Sequence, residues 1–239
     1  MQTPDPESPP PVPTSDDAVS ATLADDEPLL HATKLSPQQL TQSGLILEIA
    51  LVAVALVIAT FGFYDLANPI SSWWSVSAIG HIAIGCLLAL PLLFVVLVIL
   101  PKLAILAEFF RYLDRQLLPL FRKLTFLQVL LISLSAGIGE GLLFRWCLQG
   151  GLIQHMPTVW AILLASLVFG LAHFLTFSYF VNATLLGLIL GLIYLYVHPL
   201  AAIACHAFYD LVALLYAKKA GFLDATTLDT TTHDNGQVT

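Results

Sequence analysis

Long apolar stretches separated by short polar clusters set the pattern of this chain. A membrane-spanning helix needs ~20 mostly apolar residues, and that template fits six stretches, roughly 44–64, 76–100, 126–148, 157–176, 179–197 and 199–217. The breaks between them are polar or helix-disfavouring: "DLANPISSWW" after the first, "QGGLIQHMP" after the third, and His198-Pro199 before the last. Trp73, Trp74 and Trp160 fall near the predicted interfaces, where an aromatic belt places them. Pro91 is expected to kink the second span. The pattern predicts an all-α, polytopic transmembrane helical bundle of about six spans.

Composition strengthens that reading. The chain is 58% hydrophobic and 10% charged, with a mean hydropathy of +0.85. Soluble domains carry about 25% charged residues, and a soluble core cannot absorb this apolar excess. The formal charge of −7 describes the tails: seven of the sixteen acids lie in the first 27 residues, and Asp224, Asp229 and Asp234 close the chain. No basic patch points to nucleic acid.

Charge placement divides the rest. Residues 1–43 are Pro-rich and acidic and are expected to form a disordered cytoplasmic tail. They lack the basic start and short apolar run of a secretory signal. Residues 44–101 hold two N-terminal spans, 102–125 form a basic amphipathic segment expected at the membrane surface, and 218–239 a polar, disordered tail. Eight of the nine Lys and Arg residues fall on one side of a six-span layout, Arg145 being the exception. The positive-inside rule then puts both termini in the cytoplasm. The expectation is an integral protein of a prokaryotic cytoplasmic membrane, its oligomeric state not set by sequence. Cys86, Cys147 and Cys205 sit in apolar runs and read as packing residues. Ala183, Gly187 and Gly191 recur every four residues along the fifth span, a helix-packing pattern.

Ionisable residues inside a bilayer cost at least ~2.5–3.5 kcal/mol each on insertion scales, so those present suggest function. Glu48 lies near a predicted boundary, within reach of water, and His81 reads as a helix-interface histidine. Asp65 and His198 sit at loop edges. The remainder gather in the last four spans: Glu140 and Arg145, then His173, then His206 and Asp210. His206 and Asp210 are i, i+4 and share a helix face, as do Phe169 and His173. By residue type this set supports four readings. It has the ingredients of a general-base hydrolase and of a two-His, two-carboxylate metal site. It also suits buried polar groups paired across helices, or a proton or ion path.

Three of these segments occur in order: "EGLLFR" (140–145), "FGLAH" (169–173) and "HAFYD" (206–210). Together they resemble the signature motifs of the CAAX-protease and bacteriocin-processing (CPBP, or Abi) family of intramembrane proteases. Those motifs read Glu-Glu-x3-Arg, Phe-x3-His and His-x3-Asn or Asp. The resemblance covers about residues 125–217 and implies that 126–217 form a four-helix catalytic core. The implied activity is endopeptidase cleavage of a membrane protein, a lipidated CAAX tail or a leader peptide in the lipid bilayer. Carried over, Glu140 activates water, His173 orients that water or shares its proton, and His206 and Asp210 stabilise the oxyanion. Arg145 and Phe169 support them, Arg145 by orienting the carboxylate. Glutamate chemistry without a metal is the preferred expectation. Zinc is the possible cofactor, and Glu140, His173 and His206 would be its ligands.

The sequence departs from the pattern twice. Gly141 stands where the family places its second Glu, so the i, i+4 partner of Arg145 is lost. Trp146 replaces a small residue. Gly141 keeps a non-catalytic scaffold or immunity-type protein in view as an alternative function, and a small transporter stands behind it. The predicted boundaries also set the site residues at unequal depths. At 1.5 Å per residue, Glu140 lies ~15 Å, His206 ~11 Å and His173 ~24 Å from the outer loops.

Overall fold

The computed structural model describes residues 36–63, 77–102 and 107–220, all within the compact unit Ser36–Thr239. The predicted break after the first span, with Asp65, Trp73 and Trp74, lies outside the described residues, as do most of the N-terminal tail and residues 221–239. Every regular element among the described residues is helical.

Helix α1 spans Pro37–Ile58 and loosens into a π-helical turn at Ala59–Phe63. It begins seven residues before the predicted 44 because "SPQQ" is a start signal. Ser36 Oγ accepts the Gln39 N–H at 3.2 Å, Gln39 Oε1 accepts the Ser36 N–H at 2.9 Å, and Pro37 occupies the first position. Helix α2, Ala78–Phe94, contains Pro91 and passes into a π turn at Val95–Ile99. That is the local loosening a Pro lacking its N–H donor produces. Short helices α3 (Ala107–Tyr112) and α4 (Leu118–Arg122) follow, joined by a π turn. This segment is amphipathic: Phe110 and Leu113 are buried against Leu100 and Tyr179, while Arg115 and Arg122 are exposed.

Helix α5, Phe126–Glu140, starts on a second capping box, Thr125 with Gln128. It continues as a nine-residue π-helical segment, Gly141–Gln149, and then as α6, Gly150–His155. Helix α7 is Thr158–Ala172, α8 is Phe177–Tyr196 and α9 is Pro199–Ala220. The last helix runs past 218, where a polar tail was expected, and Lys218 Nζ donates to the Leu124 carbonyl.

Five of the six predicted spans have membrane-crossing length: Pro37–Phe61, Ala78–Lys102, Phe126–His155, Phe177–Tyr196 and Pro199–Lys219. The fourth is corrected. Helix α7 has 15 residues, about 22 Å against a hydrocarbon core of about 30 Å. The third is corrected in the other direction, to 30 residues, because the glycines at 150–151 do not end it. These two changes remove the unequal depths of Glu140 and His173. Each now lies 15 residues, ~22 Å, from the nearer end of the Met156–Pro157 turn, His155 for Glu140 and Thr158 for His173.

Side chains sort as lipid demands. Ile46, Phe61, Ile79, Leu87, Phe126, Leu127 and Trp160 are exposed, and hydrocarbon chains solvate such residues as well as a protein interior does. Small residues hold the interior: Ala89, Ala201, Ala202 and Cys205 join α2 to α9. Cys147 and Cys205 are buried, and all three cysteines are free thiols. Helix α9 packs on α2, α5 and α8, while α5 also takes α1 along its length. His81, near the start of α2, stacks on His198 with ring centroids 4.0 Å apart.

Candidate active site

Three helices meet at Glu140, the last residue of α5 before the π-helical segment. Its Oε1 lies 3.6 Å from His173 Nε2 and its Oε2 lies 3.7 Å from His206 Nε2. His206 Nε2 is also 3.3 Å from Asp210 Oδ2 one turn along α9. The four residues taken from the motifs are thus gathered into one cluster. Glu140 and His206 are enclosed, with side chains 12% and 6% exposed, whereas His173 and Asp210 keep about a quarter of theirs open. Access therefore comes from the His173–Asp210 edge.

Local structure fixes each imidazole. His173 ends α7 as its C-cap. Its Nδ1 is 2.9 Å from the Phe169 carbonyl, which can only accept, so Nδ1 carries the hydrogen and Nε2 faces Glu140. Phe169 packs against His173 at 4.5 Å between centroids and edge-on to His206 at 5.9 Å. Phe169 thus packs against both imidazole rings. Asp210 addresses the same His206 nitrogen as Glu140, which selects the Nε2–H tautomer.

Distances of 3.6 and 3.7 Å are too long for direct hydrogen bonds and suit one bridging water. A water about 2.8 Å from both Glu140 and His173 fits such a triangle. Zinc fits less well. Among the described residues no three His, Cys, Asp or Glu side chains are placed to hold one ion.

Arg145 departs from its expected role. It is 2% exposed, and no ion pair joins it to Glu140, although its charge is within Coulombic reach. Its Nη1 donates to Gln149 Oε1 at 3.2 Å and its guanidinium lies 5.2 Å from the Phe169 ring centroid. Gln149, fully buried, donates in turn to the Gly191 carbonyl at 2.9 Å. The small-residue stripe on α8 makes room for this pair, since a Cβ at Gly191 would meet Gln149 Oε1 at 2.7 Å. The sequence reading missed Gln149. A polar residue i+4 from an Arg on an apolar helix was the available signal.

Glu48 needs correction as well. It does not reach water but is 8% exposed, and a Cβ at Gly139 of α5 would collide with its Oε2. At Gly141 the neighbour is Ile203, whose Cγ1 would stand 2.7 Å from a Cβ. That packing leaves no room for the second carboxylate.

A lipid-facing helical bundle that gathers an acid, two imidazoles and a second acid in its interior is an integral membrane protein built around a buried acid–base cluster. Its C-terminal core is similar to the CPBP/CAAX-protease family. Residues 122–212 match the family model described as Type II CAAX prenyl endopeptidase Rce1-like, and all four cluster residues fall inside the match. No curated protein and no solved structure matches the chain.

Proposed function

We propose that this chain is an intramembrane endopeptidase that cleaves a membrane-associated protein or peptide with a water activated by Glu140. The observation that carries this reading is Glu140 standing 3.6–3.7 Å from both imidazole nitrogens. A carboxylate so placed takes a proton from a water lying between it and His173. The hydroxide attacks the scissile carbonyl, His206 Nε2–H donates to the oxyanion, and Glu140 returns its proton to the leaving amine. Asp210 cannot donate while ionised and serves by holding the hydrogen on His206 Nε2.

The surroundings support a lipidated or apolar substrate. An apolar cleft lined by Val54, Ile58, Leu143, Phe144, Cys147 and Val168 lies between α1, the π-helical segment and α7, and its Phe144 packs edge-on to Phe169, the ring against both imidazoles. This cleft suits a lipid chain or an apolar leader next to the scissile bond. With the short helix α7 counted as a sixth pass, the basic segments fall on one side, and the positive-inside rule puts both termini in the cytoplasm of a prokaryotic inner membrane. The test is cleavage of a prenylated CAAX-type peptide and of its unprenylated form by purified protein in vesicles. Cleavage of the prenylated form alone supports a lipidated substrate, and cleavage of neither overturns this substrate class.

A non-catalytic role rests on Gly141, and the Ile203 contact weakens it. The missing carboxylate is a local packing exchange that leaves Glu140, His173, His206 and Asp210 together.

A further inference from the structure

The protease reading leaves one buried acid unused. Glu48 lies on α1, a helix of membrane-crossing length, where a carboxyl costs at least ~2.5 kcal/mol and is retained for a reason. Its Oε2 is buried and has no hydrogen-bond partner. Glu140 Oε2 is buried without one too. Two buried carboxyl oxygens without a hydrogen bond thus stand on two helices packed together, α1 and α5, Glu140 Oε2 also facing His206 Nε2 at 3.7 Å. Glycine at 139 is what permits the approach. Any Cβ there would strike the Glu48 carboxyl, so Glu48 is pressed against the backbone of the residue just before Glu140. Glu140, His173 and Asp210 are the charges within its Coulombic reach.

We infer that Glu48 is the second carboxyl group of the site, a positioning residue that shares a proton with Glu140 and steadies it toward the imidazoles. The inference rests on the protease reading above. It also accounts for Gly141: position 141 is closed by Ile203, and the second acid arrives from α1 instead. Two carboxyl groups in one site share a proton rather than ionise together. The bookkeeping is simple. At rest one proton lies between the two acids; Glu140 takes a second from water, delivers one to the amine product, and the shared proton is restored.

The experiment compares wild type, Glu48→Gln, Glu48→Asp and Glu48→Ala as full chains in the same vesicles, reading kcat, KM and thermal midpoint. Gln keeps the shape and cannot share a proton in this way. Glu48→Gln is expected to lower kcat by about 10-fold or more with KM within about 2-fold and the melting midpoint held. Glu48→Asp, which keeps the acid, is expected to retain more kcat than Glu48→Ala. Wild-type kcat in Glu48→Gln overturns the inference, and so does equal activity of the Asp and Ala variants. A fall in kcat that tracks a fall in the midpoint marks a structural role and overturns it as well. An inactive wild type overturns the protease reading with it, whereas an active wild type beside an unimpaired Glu48→Gln overturns this inference alone.

Discussion

Arg145 and Gln149 stand four residues apart in the π-helical segment, with the guanidinium Nη1 donating to the amide Oε1 at 3.2 Å. Both are buried, and the amide passes the connection on to Gly191 of α8. Hydrogen bonds to a charged group are worth about 1.5–3 kcal/mol, and stranding a buried cation costs more. Gln149→Leu is therefore expected to lower stability by about 2–3 kcal/mol, seen as a lower melting midpoint in detergent. Gln149→Glu supplies a carboxylate to the same guanidinium but loses the donor to the Gly191 carbonyl, and is expected to recover only part of that loss.

The same contact sets the demand for glycine on α8. A Cβ at Gly191 would stand 2.7 Å from Gln149 Oε1, 3.2 Å from Ile162 Cγ2 and 3.4 Å from Arg145 Nη1. Gly191→Val is expected to cost about 1–3 kcal/mol by overpacking, measured by thermal denaturation. Gly80, with no heavy atom within 4 Å of a Cβ, is the control position where Ala is tolerated.

Asp210 reaches the site only through His206, at 3.3 Å. An Asn there still offers a carbonyl oxygen to the Nε2–H, whereas Ala offers nothing. Asp210→Asn is expected to keep activity within about 10-fold of wild type, and Asp210→Ala to lose about 100-fold or more. Steady-state kinetics on one peptide separates the two.

Much of this was legible in the sequence for reasons that can be named. Glu140, His173, His206 and Asp210 are conspicuous because charge inside apolar runs is rare, and the fold brings the four side chains together. The apolar template put the start of the third span at 126, where α5 begins. Legibility failed at a polar helix start and where tertiary contacts decide. The start of α1 was misplaced because it lies in the polar run Pro37-Gln38-Gln39 behind the Ser36 cap, ahead of the apolar stretch. The end of the third span was misplaced because buried packing carries the helix through Gly150 and Gly151. Glu48 looked water-accessible because its burial depends on Gly139, a residue 91 positions away in sequence.

Outside the spans, His198 joins α8 to α9 and stacks on His81. Burial first, and the neighbouring His81 second, hold its pKa below the ordinary 6.5. Its Nδ1 accepts the Leu200 N–H at 3.1 Å, which also requires an unprotonated nitrogen. The folded state thus binds fewer protons here than the unfolded state between the depressed pKa and 6.5. Stability from this group is complete above pH 6.5 and declines as pH falls through that window. Melting midpoints taken between pH 7.5 and 5 are expected to fall, and His198→Gln is expected to flatten that slope.

The central claim is that Glu140 activates the attacking water. The most direct measurement is cleavage by wild type and Glu140→Gln, purified and reconstituted side by side, with circular dichroism to verify that both are folded. Gln preserves the shape and removes the base, so kcat is expected to fall by about 10²–10⁴-fold while the helical spectrum is unchanged. A folded Glu140→Gln protein that cleaves at the wild-type rate would contradict the account.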